Sequence, residues 1–143
     1  MTPPLELSND HFCFGCGSKN PRGLQLSFDL DKERKTISSV WTPTKELQGY
    51  ADVVHGGMTG LVLDELMGNL LYLNGTPSVT AEMTVRFLKP AYVNRPLNCR
   101  AWIAEEKTQG ARRVFQMESE AVNEAGAVVA QASGRYVSIP AAK

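Results

Sequence analysis

One segment limits the possible folds of this chain more than any other, the run from Gly57 to Leu73. It is rich in Leu and Met and lacks proline. It ends at Asn74-Gly75 with Pro77 beyond, the pattern of a helix and its stop. Its apolar residues (Met58, Leu61, Val62, Leu63, Leu66, Met67, Leu70, Leu71 and Leu73) cover nearly the whole circumference. A helix that is apolar all round has to be buried on most sides, so the remaining chain must wrap it.

The flanking sequence supplies strands for that wrapping. Leu24, Leu26, Phe28 and Leu30 alternate with polar residues, and Thr36 to Trp41 is β-rich, which predicts two strands before the helix. Thr42 to Val54 shows little periodicity and reads as a long loop. After the helix, four strands are predicted over Val79–Leu88, Leu97–Glu105, Arg113–Val122 and Val128–Ile139. Lys107-Thr108-Gln109-Gly110 and Asn123-Glu124-Ala125-Gly126 are read as hairpin turns, so the last four strands form an antiparallel meander. Sheet and helix each bury an apolar face on the other, an α+β arrangement in a single domain over residues 1–143, with 1–12 as a loose arm.

Asp64 interrupts the helix near its middle, where an ionised carboxylate is costly unless paired or solvated. Gly57, Gly60 and Gly68 share its stripe, which leaves room for a substrate or for close approach of another backbone. Glu65 is rotated by about 100° and lies with Leu61, Val62 and Asn69. At the entry, His55-Gly56-Gly57 places unencumbered N–H groups where a helix has no internal acceptors and carries the positive end of its dipole. Such a terminus suits a carbonyl oxygen that becomes an oxyanion. The alternative is a tight glycine entry to a packed helix and a structural carboxylate that ties elements together.

Charge excludes one large class of partner. Lys plus Arg and Asp plus Glu number 15 each, so no global positive field recruits nucleic acid or an acidic membrane. The stretch Leu61–Leu73 is broken by Asp64, Glu65 and Asn69 and is too short to span a bilayer, and Met1 to Asp10 lacks the pattern of a secretory leader. Three cysteines, an odd number, point to a reducing, cytoplasmic setting. Cys13 and Cys16 have the spacing of half a zinc site, with His11 nearby, but no second pair follows and Cys99 would have to come from a strand. The pair is therefore read as a glycine turn with small thiols, with no metal and no cofactor expected. Trp41, Phe28, Tyr50 and Tyr72 are either core or the lining of an apolar pocket.

His55-Gly56-Gly57 with an acid nine positions after the histidine resembles the hotdog-fold thioesterases of the phenylacetate-degradation (PaaI-like) group. Thr80 to Ala91, with its Lys89-Pro90-Ala91 ending, is similar to that family's strand after the helix. Cys13-Phe14-Gly15-Cys16-Gly17 and Asn20-Pro21-Arg22-Gly23-Leu24 resemble one subset of it.

The resemblance implies a hotdog fold, one long helix wrapped by an antiparallel sheet of five or six strands. It also implies a homodimer or dimer-of-dimers tetramer that hydrolyses acyl-CoA or acyl-carrier-protein thioesters between subunits. The family's acid maps to Asp64, as general base or nucleophile, and its amide donor to Gly57, with Gly56 beside it and His55 positioning the loop or the carbonyl. A hydroxyl maps to Thr80, contributed by the neighbouring subunit; Gln48 is the nearest candidate for the family's side-chain amide, with Gly49 the alternative occupant of that place. Arg86, Lys89, Arg112 and Arg113 are the cations expected to meet coenzyme A phosphates. Two other readings keep the fold: a dehydratase or hydratase, and a non-catalytic acyl-CoA-binding protein.

Overall fold

The structure, a computed structural model, describes residues 7–139. Residues 1–6 of the expected arm and residues 140–143 lie outside the described residues. Strands β1 (Asp29–Asp31) and β2 (Thr36–Trp41) precede helix α1 (Gly56–Leu73). They are followed by β3 (Ser78–Phe87), β4 (Leu97–Gln109), β5 (Arg112–Val122) and β6 (Val128–Ser138). The six strands form one sheet in the order β1-β2-β4-β5-β6-β3, with every neighbouring pair antiparallel. This is the α+β hotdog arrangement that the sequence leads one to expect.

Helix α1 packs into the concave side of the sheet because its apolar residues have nowhere else to go. Val62, Leu63, Leu66, Met67 and Leu70 are fully buried. They meet an inner sheet face built from Ile37 and Trp41 of β2, Leu97, Cys99 and Ala101 of β4, Phe115 and Met117 of β5, and Ala130 and Ala132 of β6. Burial of one Leu or Met side chain contributes roughly 1.5–3 kcal/mol, so this contact dominates the stability of the fold. Trp41 thus belongs to the core, whereas Tyr50 is 90% exposed.

Four expectations need correction. The predicted strand Leu24–Leu30 shrinks to Asp29–Asp31. Gln25 has φ 51°, and Leu24 and Leu26 donate their N–H groups to Phe14 and Gly15, so the segment pairs with the cysteine loop rather than the sheet. The last four strands are not one meander: β3 lies beyond β6 at the sheet edge, and β4 pairs with β2. The connection responsible runs past the loop before α1, where Val53 bridges Tyr92 and Val54 donates to Ala91. The first hairpin turns at Gly110-Ala111 alone, with strand continuing through Lys107 to Gln109. The alternation read along β3 breaks at Ala81, where a bulge separates the Thr80–Tyr136 pair from the Glu82–Arg135 pair.

Candidate functional site

The bulge at Ala81 brings Thr80, rather than Ala81, onto the helix side of β3. Thr80 Oγ1 donates to Asp64 Oδ1 at 2.7 Å. Directly opposite Thr80 on β6, Tyr136 donates its hydroxyl to the same oxygen at 2.5 Å. Asp64 is half-buried, and with two hydroxyls on Oδ1 its Oδ2 is left without a protein donor among the described residues. Burial first, and then the adjacent Asp64 charge, push the Tyr136 hydroxyl far above the usual tyrosine range, so it stays a proton donor. The resemblance places Thr80 against a neighbouring subunit's acid; here it serves the Asp64 of its own chain.

Tyr136 is the residue that sequence reasoning missed. Its ring packs closely against Gly134, two residues earlier on the same face of β6, which has no side chain. A Cβ there would sit 2.8 Å from Tyr136 Cε1 and 3.2 Å from the Glu82 carbonyl oxygen. Gly68 of the helix stripe meets the opposite edge of the same ring, 3.9 Å from Cε2 at the Cβ position. The stripe of small residues around Asp64 therefore accommodates close packing, with Gly60 against Val85 of β3 and Gly68 against Tyr136. The signal was present in Gly134-x-Tyr136 on a strand whose inner face is otherwise apolar.

At the helix entry His55 is the N-cap, and its Nδ1 accepts from Gly57 N–H at 2.9 Å. An accepting Nδ1 on neutral imidazole puts the proton on Nε2, which makes that nitrogen a donor. The Gly56 N–H has no acceptor among the described residues. This end of the helix thus carries three donors: the Gly56 amide, the Gly57 amide when His55 yields it, and His55 Nε2. Gln48 lies in the preceding loop, but its Oε1 accepts from Asp52 N–H at 2.9 Å and braces that loop, while the His55 N–H bonds to the Leu47 carbonyl.

Gly57 and Asp64 are not neighbours within one chain. Seven residues at 1.5 Å rise separate them by about 10 Å along the helix, too far for both to act on one carbonyl. Asp64 opens instead onto a cleft of about 820 Å³ lined also by Glu65, Gly68, Asn69, Tyr72, Thr80 and Tyr136. The arm from Leu7 to Asp10, together with Phe12, Cys13 and Cys16, completes the wall. The described part of the arm therefore lies against the cleft rather than loose.

None of the four expected cations lines that cleft. Lys89 borders a separate groove of about 330 Å³ at the helix entry, together with Gly56, Thr59 and Phe87. Arg86 pairs across from Gln131 and lines a groove on the outer sheet face with Trp102 and Glu118. Arg113 is engaged by Glu106, by Thr76 Oγ1 at 3.1 Å and by the Phe115 ring at 5.1 Å. Arg112 beside it is exposed. The structure does not gather these charges at one place within one chain.

The cysteine loop folds onto the helix next to Asp64. Cys13 Sγ donates to Glu65 Oε1 at 3.4 Å, and Asn69 Nδ2 donates to Glu65 Oε2 at 3.0 Å. Cys16 approaches Asn69 Oδ1 at 3.9 Å. Burial, and then the Glu65 charge, push the Cys16 thiol up to about 12. Cys99 is buried in β4, away from this group, and His11 is not part of it.

Similarity to known proteins places the chain in a family. The thioesterase superfamily model matches residues 51–130, which is more than half of the chain and includes the helix, β3, β4 and β5. No curated protein matches the sequence. Among solved structures, a thioesterase superfamily protein is similar over 91% of this chain at 19% identity and a TM-score of 0.77. This chain spans only 61% of that protein's length. The Escherichia coli PaaI protein from the phenylacetic acid degradation operon is similar over 82% of each chain, at 20% identity and a TM-score of 0.71. The hypothetical thioesterase of Streptococcus pneumoniae TIGR4, solved with coenzyme A, aligns with 81% of this chain and 92% of its own, at 17% identity and a TM-score of 0.70. A six-stranded antiparallel sheet around one buried helix, the family match and these likenesses agree: the chain belongs to the thioesterase superfamily and has the hotdog fold seen in PaaI.

Proposed function

We propose that the protein hydrolyses acyl-CoA or acyl-carrier-protein thioesters to the free acid and thiol, with Asp64 as the reacting carboxylate. The observation that carries this reading is the pair of hydroxyls on Asp64 Oδ1. They fix the carboxylate plane and leave Oδ2 to take a proton from water, or to attack the thioester carbon itself. A carboxylate tied to structural partners through both oxygens would have no such free edge. The superfamily match and the coenzyme A found in the Streptococcus pneumoniae relative support the substrate class.

The donors for the carbonyl oxygen are Gly57, Gly56 and His55. Because Gly57 and Asp64 of one chain are about 10 Å apart, the working site combines the helix entry of one protomer with Asp64 of its partner. Strand β3 supports such an assembly: it is an edge strand, with Phe87 at its end 57% and the adjoining Leu88 47% exposed. Exposed strand edges with apolar side chains favour pairing with a second copy, and a two-fold axis there sets the two helices antiparallel. A thioester carbonyl then displaces His55 Nδ1 as the acceptor of the Gly57 N–H. Lys89, in the groove beside Gly56, is the cation best placed for the coenzyme A phosphates, and the acid-lined cleft at Asp64 takes the acyl side. Dimerisation, or a tetramer built from such dimers, and a cytoplasmic setting are parts of the same reading. No helix among the described residues is long and apolar enough to cross a membrane.

The test is thiol release from a panel of acyl-CoAs by the wild type and by Asp64→Asn. Loss of roughly 100-fold or more in kcat is expected of the variant, the scale of a lost general base. Equal turnover by both proteins would remove Asp64 from the reaction. Hydration of crotonyl-CoA without thiol release would favour the hydratase reading instead.

A further inference from the structure

We propose that Cys13, Cys16 and Glu65 form a binding site for a thiolate-preferring divalent metal ion of the zinc type, which pins the N-terminal loop to helix α1 beside Asp64. One ligand atom from each residue lies within 4.8 Å of the other two. Tetrahedral zinc with sulfur and oxygen ligands sets neighbouring ligand atoms roughly 3.6–3.8 Å apart. The Cys13–Glu65 edge is already 3.4 Å, so side-chain rotation closes the set.

The surroundings are built for that meeting. Gly15, between the two cysteines, sits over the Glu65 side chain: a Cβ there would lie 2.3 Å from both Cγ and Cδ. Gly17 packs as tightly on the Cys13 backbone, and its N–H closes the turn onto the Cys13 carbonyl at 2.8 Å. Asn69, one helical turn after Glu65, holds Oε2 and leaves Oε1 toward the thiols. Hydrogen bonds that orient a ligating carboxylate in this way are a regular outer shell of metal sites.

Charge favours the same conclusion. Glu65 forms no ion pair with a Lys, Arg or His among the described residues, although it is half-buried and faces two thiols. A divalent ion gives the carboxylate a cationic partner and displaces the two thiol protons to solvent, so that two thiolates and one carboxylate hold the ion and the site keeps a single net negative charge. Three protein ligands leave a fourth position for water. Glu65 is what the sequence alone conceals: Cys-x-x-Cys looks like half a site because its third ligand comes from a helix 49 residues further on.

The experiment uses the full chain with its cysteines kept reduced. It is loaded with zinc, dialysed and measured for metal content, and a cobalt-loaded sample is examined for thiolate-to-cobalt charge-transfer absorption. About one zinc per chain is expected, with the absorption band present. Cys13→Ser and Cys16→Ser should each lose most of the metal and the band, and Cys99→Ala should keep both. Cys13 is exposed, so its variant remains informative if Cys16→Ser fails to fold. No metal on the reduced wild type, or metal that survives both serine substitutions, overturns the proposal. These readouts do not depend on thioester hydrolysis, so failure here is distinct from failure of the proposed function.

Discussion

Tyr136 and Asp64 are 72 residues apart in the chain, and their hydroxyl and carboxylate oxygens are 2.5 Å apart in the fold. The bond joins the closing strand to the middle of the helix, and Thr80 completes it from the edge strand. A hydrogen bond to a charged group contributes about 1.5–3 kcal/mol. Tyr136→Phe and Thr80→Val should therefore each lower kcat by roughly tenfold, with KM for acyl-CoA little changed. The double variant should approach Asp64→Asn. Steady-state kinetics on the four proteins decides it; a double variant with wild-type kcat would mean that the hydroxyls do not support the reaction.

Gly134→Ala tests the seat of that tyrosine. The new methyl would lie 2.8 Å from the Tyr136 ring and close to the Glu82 carbonyl, so ring or strand must move. Overpacking of this kind costs about 1–3 kcal/mol. A lower melting temperature together with reduced kcat is expected. A variant that melts with the wild type would show that the ring has room to shift.

Sharing of the site between two protomers predicts complementation. Gly57→Pro removes the amide donor at a first-turn helix position, where proline is tolerated. Alone, Gly57→Pro and Asp64→Asn should both be inactive. Mixed dimers made by unfolding and refolding the two together should regain about one quarter of wild-type activity, because half of the dimers carry one intact site of two. Absence of any recovery, with mixed dimers demonstrated by mass spectrometry, would argue against a site built from two chains.

Alkaline stability should carry the signature of Cys99. Burial in β4 raises its thiol from an ordinary value of 9.0 to about 12. Below about pH 9 the thiol is protonated in both folded and unfolded chains, and its contribution is fully present. Between 9 and 12 only the unfolded chain releases the proton, so stability falls with rising pH by up to about 1.4 kcal/mol per unit from this group. Urea unfolding across that window should show a shallower decline for Cys99→Ala. An unchanged slope would assign the alkaline loss to other groups.

The sequence by itself determined the helix, its burial and most of the strands, because these follow from local periodicity: apolar residues all round Gly57–Leu73 and alternation along β5 and β6. It also singled out Asp64, since a lone carboxylate in an apolar helix is conspicuous in one dimension. The partners of that carboxylate were decided only by tertiary structure. Thr80 reaches it because one bulged residue reverses the face of β3, and Tyr136 because β6 returns beside β3 after an excursion through two other strands. The same holds for Glu65 beneath Cys13 and Cys16, where a loop folds back across half a helix. Periodicity is a property of neighbouring residues, whereas strand order, bulges and loop docking depend on contacts between segments far apart in the chain, and those contacts set which polar atoms meet.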